Sequence, residues 1–137
     1  MELPDPIRVV LADDQRAYRE GLARAISEHC RLQLVAVARD GSEALDAIEA
    51  LEPDVALVDV RMSGMEGTTL CAELHRRHPD LRTRVILMSA QGGPAMGEHA
   101  ERAGADGFVA KDRSRREICE ALVQVSQRRR EAPILTR

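Results

Sequence analysis

Apolar residues along this chain come in short unbroken runs separated by longer stretches with helical spacing. The most informative run is Val55-Ala56-Leu57-Val58, which stops on the carboxylate of Asp59. Pro53-Asp54 precede it, and Ser63-Gly64 and Gly67 follow. Such a run, with turn residues on both sides, suits a strand buried on both faces of a parallel sheet. Ile7 to Ala12, Arg84 to Met88 and Gly107 to Ala110 read the same way. Leu32 to Ala38 partly alternates, which suits a strand nearer an edge. Between these runs the spacing predicts helices. Gln15 to about Glu28 puts Tyr18, Leu22, Ala25 and Ile26 on one face. Asp40-Gly41-Ser42-Glu43 reads as a capping box ahead of an inward face of Ala44, Leu45, Ile48 and Leu51. About Thr68 to His78 turns Leu70, Cys71 and Leu74 inward, and Pro79 ends it. A fourth helix, from near Pro94 to before Gly104, is weakened by Gly92, Gly93 and Gly97 around its head. Ser114 to Glu117 is a second capping box, opening a helix with Ile118, Ala121, Leu122 and Val125 inward. Strand and helix alternate five times, so the expected class is α/β, a doubly wound parallel sheet with helices on both faces.

In such sheets ligands bind beyond the carboxyl ends of the strands. Asp59 alone there would be only the first polar residue after a strand. Other strand ends change its weight. The first strand ends in Asp13-Asp14, the fourth in Ser89, the fifth in Lys111. One edge of the sheet would then gather three carboxylates, a hydroxyl and an ammonium. Carboxylates that close repel each other unless a cation joins them, and an all-oxygen set suits Mg²⁺. Of the 20 Lys and Arg residues, only Lys111 is a lysine. A compact ammonium and a planar guanidinium are not interchangeable, so that lysine in an arginine-rich chain is a signal.

Composition narrows the picture further. At 137 residues the chain is one domain of ordinary size, with an aliphatic core, since Tyr18 and Phe108 are its only aromatics. A net charge of −3 does not suggest nucleic-acid binding by this domain alone. Cys30, Cys71 and Cys119 are odd in number, form no CxxC pair and fall in helical segments, which fits a reducing cytoplasm. The N-terminus lacks a secretory pattern, and no stretch could span a membrane. His75 and His78 share a helix face without a third ligand, which suits a solvated surface.

Taken in order, Asp13-Asp14, Asp59 within Asp59-Val60-Arg61-Met62-Ser63-Gly64-Met65-Glu66-Gly67, Ser89-Ala90, Phe108 and Lys111 resemble the receiver domain of bacterial two-component response regulators, from about Ile7 to about Val125. The resemblance implies a flavodoxin-like sheet with strand order 2-1-3-4-5. It implies that a histidine kinase phosphorylates Asp59. It further implies Mg²⁺ held by Asp14, Asp59 and the Arg61 backbone carbonyl, with Asp13 acting through a water on the ion. Lys111 would pair with Asp59 and then with a phosphoryl oxygen. Ser89 would offer its hydroxyl to another oxygen, and Phe108 would turn inward as Ser89 moves. Ser63 stands where the family usually has proline, which loosens that loop. Asp112 stands where many relatives have a proline after a cis bond, and the sequence leaves that isomer open.

The resemblance sets residues 1–126 as the receiver and 127–137 as a linker or the start of a missing output domain. Pro133-Ile134-Leu135-Thr136-Arg137, after the basic run Arg128-Arg129-Arg130, is similar to the opening of the helix-turn-helix domain of NarL/LuxR-type regulators. DNA would be reached only through that domain, with a homodimer forming on activation. Two alternatives remain in view: a stand-alone module acting by protein contact, and a small Mg²⁺-dependent aspartyl phosphatase. The phosphatase needs an Asp-x-Asp strand end and a cap, neither of which is visible. The acidic set with Lys111 speaks against a module that is never phosphorylated.

Overall fold

The computed structural model describes residues 4–90 and 94–128. Part of the glycine-rich segment, residues 91–93, and the tail, residues 129–137, lie outside them, and with these the proposed opening of an output domain. The described residues alternate as β1 (Ile7–Ala12), α1 (Arg16–Glu28), β2 (Leu32–Ala38), α2 (Gly41–Leu51), β3 (Val55–Asp59), α3 (Gly67–Arg77), β4 (Arg84–Ser89), α4 (Pro94–Arg102), β5 (Gly107–Ala110) and α5 (Arg115–Gln127). The strands form one parallel sheet in the order β2-β1-β3-β4-β5. That is the expected class and order.

The side-chain period of two along a strand divides the core. Val10, Ala56, Val58, Val85 and Leu87 face α2 and α3 and meet Ile48, Leu70 and Leu74. Val9, Leu11, Leu57, Ile86 and Met88 face α1 and α5 and meet Leu22, Ile26, Ile118 and Leu122. All five residues of β3 are buried, as an unbroken apolar run in a central parallel strand should be. The edge strand β2 is buried only at its two ends, which accounts for its mixed pattern.

Local signals set the helix starts. In α5, Ser114 Oγ accepts from Glu117 N at 3.0 Å, and Glu117 Oε1 accepts from Ser114 N at 3.0 Å, a complete capping box. At α2 only half of the expected box forms. Asp40 accepts from Glu43 N at 2.8 Å, but the Glu43 carboxylate reaches past Asp40 to the N–H of Arg39, also at 2.8 Å. The inner face of α5 differs by one residue from expectation: Cys119 is buried and Ala121 only half so, because a packed helix covers more than one row of its surface. Cys30 is not helical. It sits exposed in the turn after α1, whereas Cys71 and Cys119 are buried in helices. Among the described residues no peptide bond is cis, so the Lys111-Asp112 bond is trans.

Candidate phosphoryl-acceptor site

The parallel register brings the acidic strand ends together. Ala12 pairs with Val58, so the next residues, Asp13 and Asp59, emerge side by side. Both are nearly inaccessible, at 0% and 5% exposure. Each is fixed the same way: one carboxylate oxygen accepts the backbone N–H two residues on. Asp13 Oδ1 takes the N–H of Gln15 at 2.8 Å, and Asp59 Oδ1 takes that of Arg61 at 3.1 Å. This local turn is one that Asp makes readily. It leaves the two Oδ2 atoms for Lys111, whose Nζ lies 2.7 Å from Asp13 and 2.9 Å from Asp59. The contact to Asp59 is a directed hydrogen bond, while that to Asp13 is an ion pair without one.

Neighbouring backbone holds this edge in place. Lys111 N donates to Ser89 O, Val60 N to Met88 O and Gly67 N to Val60 O, each at 2.8 Å. Gly67 has no room for a side chain, since a Cβ there would press on the Asp59 carbonyl. Gly64 turns the intervening loop at φ +83°, which a residue with a side chain rarely adopts.

Burial disfavours the charged form of Asp59, and the Asp13 charge adds to it. The Lys111 hydrogen bond opposes both but does not win, so the carboxyl is pushed up to about 6. Burial pulls Lys111 the other way, yet Asp13 and Asp59 outweigh it and raise its pKa above the ordinary value. The ammonium therefore stays charged, and the pair it joins remains short of positive charge.

A cleft of about 710 Å³ opens over these groups, lined by Asp14, Asp59, Arg61, Ser63, Ser89 and Lys111 among others. Asp14 is exposed at its edge. Asp13, Asp14 and Asp59 each offer a carboxylate oxygen, and these oxygens lie within 4.8 Å of one another. An all-oxygen cluster of this kind is compatible with a small divalent cation such as Mg²⁺. Ser89 is buried beneath the cleft. Phe108 is not in it. That ring is half-buried and packs against the core cluster shared by α2 and α3, and it lines a separate hollow of about 440 Å³ beside Ile118 and Ala121.

Sequence reasoning brought together Asp13, Asp14, Asp59, Arg61, Ser89 and Lys111, and the fold does the same. It missed Gln15 and Tyr18. Gln15 Oε1 accepts from Lys111 Nζ at 3.0 Å, and the Tyr18 ring centroid lies 4.6 Å from that nitrogen. The available signal was only their position at the head of a helix leaving Asp13-Asp14.

Known proteins resemble the chain in sequence and in fold. The chain is 43% identical over 126 residues to the "Probable transcriptional regulatory protein NarL" of Mycobacterium tuberculosis, covering 92% of this chain and 57% of that protein. It is 38% identical over 119 residues to the DNA-binding transcriptional activator DevR/DosR of the same organism, covering 87% of this chain and 54% of the relative. The chain thus spans about half the length of these curated relatives. The solved signal receiver domain of the M. tuberculosis NarL superposes with a TM-score of 0.85 at 43% identity, covering 92% of this chain and all (100%) of that one. Residues 9–123 match the response regulator receiver domain family, to which the chain belongs.

Proposed function

We propose that the chain accepts a phosphoryl group on Asp59 from a phosphohistidine of a kinase, and that this switches a transcriptional output. The observation that carries this reading is the Asp59 carboxylate: buried at the end of the central strand, held by Lys111, flanked by Asp13 and Asp14, and opening onto a cleft. An Asp59 oxygen forms the new bond to phosphorus as the phosphorus–nitrogen bond breaks, and the imidazole keeps that electron pair. Such transfer needs in-line positioning and charge stabilisation more than covalent chemistry. Asp14, Asp59 and the Arg61 carbonyl would hold Mg²⁺, with Asp13 acting through a water, and the ion would neutralise charge on the transferring group. The two turns at Asp13 and Asp59 fix both carboxylates, and that of Asp59 opens on the cleft. Lys111 passes from an Asp59 oxygen to a phosphoryl oxygen without leaving the strand edge. Ser89 offers its hydroxyl to another oxygen, and Phe108 turns inward behind it. The chain acts as acceptor rather than as an enzyme on other substrates. DNA contact would belong to the whole regulator, as the name of the DNA-binding relative suggests, and a homodimer formed on activation would belong there too.

The test is incubation with acetyl phosphate and Mg²⁺ followed by intact mass. A receiver gains one labile phosphoryl group, and Asp59→Asn gains none. Full labelling of that variant would overturn the assignment. Donor consumption without lasting gain would favour the phosphatase, and neither change would favour a module that is never phosphorylated.

A further inference from the structure

The Lys111 ammonium is gripped from more than the two strand ends. Helix α1 closes a third side. The Tyr18 ring lies 4.6 Å from Nζ, and the Tyr18 hydroxyl donates to the Lys111 carbonyl at 3.4 Å. Gln15, at the head of the same helix, accepts from Nζ at 3.0 Å. The α1 helix is itself tied to the acidic strand end, because Arg19 Nη1 donates to the Asp13 carbonyl at 2.9 Å. The lysine side chain is only 8% exposed. An aromatic face attracts an ammonium through its quadrupole, more strongly as water is removed. Lysine is a point charge on a flexible stem and does not hold a position by itself. The ring restricts that stem on a side that the two carboxylates do not close.

We propose that Tyr18 is a positioning residue for phosphoryl transfer: its ring, with the Gln15 amide, forms a seat from α1 that holds the Lys111 ammonium between Asp59 and the cleft. This rests on Asp59 being the acceptor. Tyr18 also packs against the core cluster beside α1 and α5, so a purely structural role is the competing account, and the experiment separates the two.

Because Lys111 is the one lysine, protein grown with isotope-labelled lysine gives a single side-chain signal. In the wild type its ε-methylene protons are shifted upfield by the Tyr18 ring current. Tyr18→Phe keeps the shift, and Tyr18→Leu and Tyr18→Met lose it. In parallel, the rate of labelling by acetyl phosphate is measured against donor concentration. Loss of the ring lowers the limiting rate about threefold to tenfold, in line with the strength of a partly desolvated cation–π contact, while half-saturation stays put. Tyr18→Phe restores the wild-type rate, which general core damage would not predict. Methionine fills much of the same space, so it stands in if the leucine variant does not fold. An unshifted lysine signal in the wild type would overturn the seat. So would a wild-type limiting rate in both ringless variants. The lysine signal needs no phosphoryl group: if the wild type takes up none, the acceptor reading fails while the seat is still decided by the ring-current shift.

Discussion

Asp59 stands in an environment that disfavours its charge. Its carboxyl titrates near pH 6 instead of 3.8, because burial outweighs Lys111. Between those values the folded protein keeps a proton that the unfolded chain has released. The stabilising contribution is therefore complete below about pH 4 and is lost as pH rises through about 6. Asp59→Asn should flatten that slope in metal-free buffer. At pH 7 it should be more stable than wild type by on the order of 1–2 kcal/mol, a figure already reduced for solvent in the cleft. Urea unfolding from pH 4 to 7 checks both, and parallel curves for the two proteins would refute the idea. Single residues at strand ends were legible because an apolar run ending in a charged side chain has one plausible place in a parallel sheet. Tyr18 was not, because helical spacing alone assigns it to the core. Its half-buried face toward Lys111 depends on how α1 crosses the sheet edge.

Between residues and the whole lie the junctions where one element hands over to the next. The Ser114 box satisfies two N–H groups at the head of α5, and Ser114→Ala should cost about 1 kcal/mol in denaturant unfolding. At α2 the residue types were read correctly, but sequence could not say which N–H the Glu43 carboxylate would choose. The extended backbone of Asp40, at φ −151° and ψ 175°, brings Arg39 within reach. Gly67 is a stricter junction, since both its neighbour and its constraint are backbone. Gly67→Ala forces the start of α3 away from the Asp59 carbonyl. It should destabilise by about 1–3 kcal/mol, the range for overpacking, and slow acetyl phosphate labelling as well. A variant with wild-type melting and labelling would show that the α3 junction yields more easily than the close approach implies.

For the molecule as a whole, the fold was legible because the two faces of each central strand are apolar and each helix has one inward stripe. The order of strands came only from resemblance, as periodicity does not specify neighbours. Leu57, fully buried in β3, touches the α1 and α5 side, and Leu57→Ala should cost about 2–5 kcal/mol. Mg²⁺ should raise the melting midpoint by relieving repulsion among the carboxylates, an effect that Asp14→Asn weakens. An unmoved midpoint in both proteins would count against the cation site. If phosphorylation redistributes packing from Ser89 to Phe108, beryllofluoride should change hydrogen exchange in α4, β5 and α5. Unaltered exchange there would reject the switch and leave phosphoryl acceptance standing.

The cysteines give each face of the sheet its own clock. Cys71 lies in the layer under α2 and α3, and Cys119 in the layer under α1 and α5. Burial pushes the Cys71 thiol up to about 12 and raises that of Cys119, so neither reacts with an alkylating reagent until its own layer opens. Cys30 is exposed and is modified first. After that initial event, the times at which the second and third thiols disappear measure how often each side of the protein comes apart. One shared time would mean that the sheet and both helical layers breathe as a unit. Two different times would show which side loosens first, without any probe being added to the chain.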